Sequence, residues 1–365
     1  LVYTVGYNGN GEMGDDSTTT TTEPTNISEA SLKVNPTKIV LNLNSSNISE
    51  KIEANTDLGF NLLYSEVTNE EVTFKSQDAK IASVDNDGVV TGNTYGTTTI
   101  EVTTNKLPNK VLVDVQVLRK NDITIPKVVS MNDFSVALKA DGTVWTWGYN
   151  YQGQLGLGDN SNRYKPTQVN IKDVIDVAAG SNHVLALTKD GKVYSWGLNK
   201  FGQLGNGTTV NSKYAKAMLD TFGTDPITDI VDISASNGNS ILVDKYGNVY
   251  SCGYNVYGQL GDYTNTNRLL PVQTKEMQNV VQVSAGRWHA LMLRGDGTVW
   301  GIGRNYYGEL GINSTMTSSG SSDQGIRVAK QVMNENKDGV LKDITEIACG
   351  GWHSVALTTN KQVLT

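Results

Sequence analysis

The chain has 365 residues, with 37 acidic against 30 basic side chains and a net charge of −7, which argues against a surface that tracks nucleic-acid phosphates. Its 37 glycines, 7 prolines and 38% hydrophobic residues fit a soluble, β-rich protein of about two domains. No apolar run approaches the roughly 20 residues that span a bilayer, so no membrane insertion is expected.

The first predicted element is the strand LVYTVG (1–6), which runs into GYNGNGEMG (6–14) and a threonine run. Alone, this stretch reads as a solvated linker, because it buries too little apolar surface to offset the entropy of ordering it. Its wording recurs, however. WGYNYQGQLG (147–156), WGLNKFGQLG (196–205), CGYNVYGQLG (252–261) and IGRNYYGELG (302–311) repeat one phrase, with first glycines spaced 49, 56 and 50 residues apart. Ten residues past the last glycine stands Pro166 in one copy and Pro271 in another, and Gly14 has Pro24 at the same distance. Residues 1–28 are therefore expected to be a leading part-blade, with the threonines in the loop between its third and fourth strands.

Residues 30–119 do not carry the phrase. Short alternating strands at intervals of about ten residues suggest an inserted β-sandwich. Asp85-Asn86-Asp87-Gly88 lacks the ligand pattern of a calcium loop and reads as a hairpin turn.

From 123 to 365 the repeat dominates. Upstream of each phrase lies a second shared segment, such as VAAGSNHVLALTKDGKV (177–193) and VSAGRWHALMLRGDGTV (283–299), and a fifth copy, IACGGWHSVALTTNKQV (347–363), comes last. Each unit reads as a short strand, an alternating strand such as HVLALT, an Asp-Gly type turn, a third strand such as VYSWG, and a weaker fourth. Four strands per roughly 50 residues are the content of a propeller blade. The reading is four full copies plus a truncated fifth. The chain is expected to be a mature protein or excised fragment that continues beyond both ends, or else a five-bladed ring closed by sharing strands between its ends.

The repeated G-x-N-x-x-G-[QE]-[LM]-G resembles the regulator of chromosome condensation repeat, which implies an all-β fold, a β-propeller with an inserted Ig-like sandwich. Val5, Cys252 and Ile302 stand where other copies have Trp147 and Trp196, a position that needs only an apolar filler. KIASVDNDGVVTG followed by GTTTIEV resembles the bacterial immunoglobulin-like domain of group 2, although Phe74 stands where that family usually has Trp. That resemblance implies an extracellular or bacterial cell-surface location.

Candidate chemistry is sparse. His183, His289 and His353 share one repeat position, filled elsewhere by Phe134 and Asn239. Equivalent positions are rotated around a ring, so a structural role is expected rather than a zinc site. Cys252 and Cys349 cannot make a disulfide framework and read as small apolar fillers. The phrase glycines open no helix and bind no nucleotide. Hence no catalytic residue, cofactor or metal is assigned.

Repeats also supply their own control: a large side chain that sibling copies lack is not demanded by the fold. Trp288 and Trp352 stand where Asp133, Asn182 and Gly238 stand elsewhere, with Arg287 beside the first. Tyr149, Tyr151, Tyr254 and Tyr306 crowd the phrase loops. These seven are the binding-surface candidates, since exposed Trp, Tyr and Arg anchor interfaces; packing between blades is the alternative for the tryptophans. Phe201, Tyr257 and Tyr307, just before the central glycine, are expected to pack.

The expected function is a non-catalytic extracellular or cell-surface protein for adhesion, scaffolding or protein–protein interaction, with another protein or a cell-surface component as partner. Two alternatives follow. One branch of the propeller family inhibits secreted β-lactamases through loops on one face, and part-blades at the two ends invite self-assembly into a filament or layer. Guanine-nucleotide exchange, the activity of the family's eukaryotic founding member, fits poorly with the bacterial-type insertion and the acidic charge.

Overall fold

The computed structural model describes residues 3–6, 21–26, 31–43, 48–57, 72–105, 107–119, 122–314 and 325–365. Strands β1 (Tyr3–Gly6) and β2 (Thr21–Asn26) pair antiparallel, with a register shift between Thr4 and Gly6. The later sheets show the same shift before the first phrase glycine, between Thr146 and Gly148 and between Ser195 and Gly197. The pair thus carries the ladder of a third and fourth strand. The phrase at 7–14 and most of the threonine run lie outside the described residues.

Nine strands follow: β3 (Ser31–Asn35), β4 (Lys38–Asn42), β5 (Ser49–Lys51), β6 (Glu53–Asp57), β7 (Val72–Ser76), β8 (Ala82–Val84), β9 (Val89–Gly92), β10 (Gly96–Thr104) and β11 (Leu107–Leu118). They form sheets ordered β4-β11-β10-β7, β5-β9-β8 and β3-β6. Alternate residues face one core that includes Ile39, Leu41, Val90, Ile100, Val113 and Val115, the period-two pattern of half-buried strands. Between β8 and β9, the Asp85 carboxylate accepts the backbone N–H groups of Asp87 and Val89 at 3.0 and 2.8 Å, closing the expected hairpin turn.

The repeats build β12–β15 (Lys127–Met131, Phe134–Leu138, Val144–Gly148, Arg163–Gln168) and β16–β19 (Val174–Ala179, His183–Thr188, Val193–Gly197, Ser212–Ala217). They continue as β20–β23 (Ile230–Ala235, Asn239–Asp244, Val249–Gly253, Arg268–Gln273), β24–β27 (Val280–Ala285, His289–Arg294, Val299–Gly303, Ile326–Gln331) and β28–β30 (Ile344–Cys349, Ser354–Thr358, Val363–Leu364). Each group is one antiparallel sheet in chain order: four sheets of four strands and a last one of three. First strands of successive sheets touch one another, and each second strand packs on the next first strand, β17 on β20 and β21 on β24. Fourth strands such as β15 are largely exposed. First strands therefore converge and fourth strands form the outer rim, the radial layout of a propeller.

Converging first strands leave unpaired edges, whose N–H groups need partners. Side chains of the preceding sheet supply them. The Asp232 carboxylate accepts Val283 N–H at 2.8 Å, Ser234 Oγ accepts Ala285 N–H at 3.0 Å, Gln282 Oε1 accepts Ile347 N–H at 2.9 Å and Ser284 Oγ accepts Cys349 N–H at 2.8 Å.

The inserted sheets touch one end of the propeller, where first strands begin and second-to-third turns lie. Leu112 N–H donates to Gly295 O at 2.8 Å, Lys38 Nζ donates to Val231 O at 3.3 Å, and Lys110 Nζ lies 3.1 Å from Asp343 Oδ1. The first-to-second-strand loops and the phrase loops occupy the opposite end. Among the described residues no helix is long and apolar enough to cross a membrane.

Candidate protein-binding face

The phrase loop is built around its asparagine. Asn150, Asn199, Asn255 and Asn305 are buried. Asn255 Nδ2 donates to Thr264 O at 3.1 Å and Thr266 O at 3.0 Å, while its Oδ1 accepts Leu260 N–H at 2.9 Å. Asn199 repeats this with Thr208 O, Val210 O and Leu204 N–H at 2.9, 3.2 and 2.9 Å. One amide thus ties the start of each loop to its far side. At Gly253 the backbone has φ 102°, and an added Cβ would lie 2.2 Å from Gly238 O, so the strand can pass that carbonyl only without a side chain.

On these loops stands a chain of rings spanning four sheets. Phe201 lies 4.8 Å from Tyr254, Tyr254 6.5 Å from Tyr257 and Tyr257 5.5 Å from Trp288, centroid to centroid. Trp288 meets Trp352 edge-on at 4.7 Å, and Trp352 meets Tyr307 at 5.9 Å, itself against Tyr306 at 5.0 Å. The Arg304 guanidinium sits 4.5 Å from the Trp352 ring, 5.0 Å from Trp288 and Tyr307, 5.2 Å from Tyr306 and 5.9 Å from Tyr257. Arg287 lies over Trp288 and Trp352 at 4.5 and 5.1 Å. Cations on ring faces are attracted by the ring quadrupole and hold the cluster in place.

Five of the seven sequence candidates therefore meet in one cluster: Arg287, Trp288, Trp352, Tyr254 and Tyr306. Tyr149 and Tyr151 stack on each other at 6.4 Å as a separate pair. For the tryptophans both alternatives apply, since Trp288 is half-buried between rings and Trp352 remains 40% exposed. Phe201 and Tyr257 pack as expected, whereas Tyr307 is 66% exposed and joins the surface. Sequence reasoning passed over Arg304, the centre of the cluster. The signal was a different one: Arg304 stands where sibling phrases have Tyr149, Leu198 and Tyr254, so size does not mark it, and only its charge sets it apart from the other copies.

Two histidines knit sheets together. His183 Nε2 is 3.1 Å from Ser240 Oγ, and His289 Nε2 is 3.1 Å from Ser354 Oγ, each serine lying in the next sheet and donating in turn to a phrase carbonyl, Gln203 O or Glu309 O. Burial pulls both imidazoles down to about 4. His353 is exposed. Cys252 is buried and its thiol is pushed up to about 12, while Cys349, with Sγ 3.2 Å from Ser284 O, is pushed to about 11, both mainly by burial.

Beside the ring cluster, between β24–β27 and β28–β30, lies a cavity of about 680 Å³ whose lining includes Tyr307, Glu309, Leu310, Val332, Trp352 and Leu364. The equivalent slots between earlier sheets are filled: an added Cβ on Gly156 would lie 2.8 Å from Trp196, and one on Gly261 2.5 Å from Ile302. At Gly311 the neighbour is Val332, at 3.0 Å.

Residues 78–365 match the RCC1-like domain family. The chain belongs to the RCC1-like domain family. A zebrafish (Danio rerio) RCC2 homologue is 32% identical over 146 residues, 39% of this chain and 29% of that protein. An RCC1 repeat-containing protein of Dictyostelium discoideum is 29% identical over 149 residues, 39% of this chain and 31% of that protein. The matched stretch thus spans about three-tenths of these relatives. Among solved structures, Prp20p of Saccharomyces cerevisiae, described with binding properties to Gsp1p and histones, superposes with a TM-score of 0.52 at 24% identity, over 64% of this chain and 57% of that one. Human WBSCR16 gives 0.53 at 19% identity over 84% and 69%. These likenesses support the RCC1-like propeller fold.

Proposed function

We propose that this RCC1-like chain is a non-catalytic protein-interaction module carried on the outside of a bacterial cell, where it serves adhesion or scaffolding. The observation that carries the reading is the aromatic–arginine cluster on the end of the propeller away from the inserted sheets. It gathers Trp, Tyr and Arg, the residue types that dominate interface energetics, at positions where the repeat itself does not require them. The resemblance of residues 30–119 to the group 2 immunoglobulin-like domain supports the location, and protein binding by an RCC1-like relative such as Prp20p supports the partner class. Two experiments test the reading. Protease added to intact cells is expected to cleave the protein and spare a cytoplasmic marker; full protection overturns the location. The purified chain, applied to an array of extracellular proteins, is expected to bind a subset that Trp288→Ala and Trp352→Ala lose, and an unchanged profile overturns the use of this face.

A further inference from the structure

The end of the propeller covered by the inserted sheets gathers more carboxylates than cations. We propose that these sheets are a proton-held plug: they stay seated on the axis of the propeller while Asp114 or Asp232 carries a proton, and loosen when both carboxyls ionise. This goes beyond protein binding at the opposite end and does not depend on it.

The converging first strands bring one register position to the axis five times, as Lys127, Asp176, Asp232, Gln282 and Glu346. Lys127 Nζ lies 2.7 Å from Asp176 Oδ1, which balances that pair. Over this ring sit β4 and β11 of the insertion, where Lys38 and Asp114 are partners across the parallel ladder. Lys38 Nζ donates to Val231 O, next to Asp232, at 3.3 Å. Lys38, Asp114 and Asp232 are each half-buried, and Glu346, which is exposed, adds a negative charge near Asp114. From β12 and β16, Lys127 and Asp176 also act on Asp232. At the rim, Lys110 lies 3.4 Å from Glu101 and 3.1 Å from Asp343. One ammonium thus stands among two carboxylates. With both ionised, a charge is left uncompensated away from water, a cost that one proton removes.

The titration agrees with the geometry. Burial pushes Asp232 up to about 7 and Asp114 up to about 6, with Lys38 opposing both. Once the sheets lift away, water solvates the two groups and their carboxyls return toward 3.8. The seated state therefore binds protons more tightly than the lifted one. Its advantage is complete below about pH 4, shrinks as pH rises, and stops changing above about pH 7. The buried histidines do not share this window. His183 and His289 begin second strands at the opposite end, and burial pulls both down to about 4, so they are neutral from pH 5 upward.

The test is hydrogen exchange of the full chain, read at the Leu112 amide, whose bond to Gly295 O at 2.8 Å joins insertion to propeller. Corrected for the intrinsic pH dependence of exchange, its protection is expected to fall at least about tenfold from pH 5 to pH 8. Strand β10, inside the insertion, should keep its protection. Asp114→Asn should recover about tenfold, and combining it with Asp232→Asn should leave protection flat with pH. Lys38→Met removes the counter-charge and should steepen the fall. Thermal melts at pH 5 check that each variant folds, and Asp114→Asn alone decides if the double variant melts early. A parent whose protection does not change with pH overturns the proposal, as does a double variant that keeps the parent's slope. A parallel fall in β10 also overturns it, because the insertion would then melt rather than lift. So does an equal loss at every pH in Lys38→Met, which would leave that lysine a packing role alone.

Discussion

At the end of the propeller where first strands begin, Lys38 and Lys110 reach from the inserted sheets and find Val231 O and Asp343. At the opposite end, Arg287 and Arg304 lie on rings, and Arg304 Nη1 has no hydrogen-bond partner. The first end is an interface already made within the chain, in which Lys38, Lys110 and the Leu112 N–H all have partners. The second has the same ingredients, apolar surface and cations: Arg304 lies 3.7 Å from the buried Glu309 carboxylate, and Arg287 is exposed over two indoles. The two ends thus differ in what covers them, the inserted sheets at one and solvent beside Trp352, Tyr307 and Arg287 at the other, and the following measurements break or sharpen that contrast.

The largest effect is expected from Asn255→Ala. The substitution leaves the buried Leu260 N–H without its partner, while Thr264 O and Thr266 O lose theirs on half-buried and exposed residues that water can reach. At about 1–3 kcal/mol for a buried group left unpaired, a loss of about 1–3 kcal/mol in unfolding free energy is expected. Hydrogen exchange should rise across residues 254–268 and remain low in β11 and at its contact with Gly295. A uniform rise at both ends would show that the ring-bearing loops have no independent stability and would remove the contrast.

Much of this fold can be read from the sequence because it is periodic. The phrase, the Asp-Gly turns and the alternating second strands locate every sheet from β12 to β30, as both strand order and family membership bear out. The histidines were legible for the same reason: one repeat position, carried round the ring, brings His183 to Ser240 and His289 to Ser354. What the sequence could not supply was contact between sheets. The edge N–H of Val283 bonded to Asp232 depends on the packing of one blade against the next, and so does the meeting of Phe201, Tyr254, Tyr257, Trp288 and Trp352 across four sheets. The docking of the insertion, which rests on Leu112 reaching Gly295, has no local signal at all. Arg304 is different, since a comparison of copies contains it.

An intermediate effect is expected from pH. Burial pushes Asp232 up to about 7, with Lys38 and Lys127 opposing and Asp176 adding to the shift, and burial pushes Asp114 of β11 up to about 6, with Lys38 opposing and Glu346 adding. A folded carboxyl above its unfolded value of 3.8 favours the folded state at low pH, and that contribution is lost as pH rises through about 7. Asp232→Asn keeps the acceptor for Val283 N–H and removes the titration. Its melting temperature should match the parent near pH 4, exceed it increasingly up to about pH 7, and keep a constant lead above that. The histidines slope the other way: with folded values near 4 against 6.5 unfolded, their contribution is full above about pH 6.5 and lost on acidification. His183→Asn should therefore differ most from the parent at neutral pH. Parallel pH profiles for parent and Asp232→Asn would show that this carboxylate is not desolvated, and that the end bearing the insertion is more open to water than its contacts suggest.

The smallest effect is expected where the ion pair is most visible. Lys110 lies 3.4 Å from Glu101 and 3.1 Å from Asp343, but the Asp343 side chain is 64% exposed, and pairs of this kind contribute about 0–1 kcal/mol. Lys110→Ala should therefore cost under about 1 kcal/mol in denaturant unfolding at low salt, with the difference gone at high salt. Gly295 makes the sharper comparison. An added Cβ there would lie 2.8 Å from Val111 Cγ1, so Gly295→Ala pushes against the apolar contact beside the Leu112 bond. If that contact rather than the ion pair holds the insertion, Gly295→Ala should open residues 107–119 to protease at a salt concentration where Lys110→Ala does not. The reverse order of sensitivity would mean that charge, rather than apolar contact, holds the insertion to the propeller.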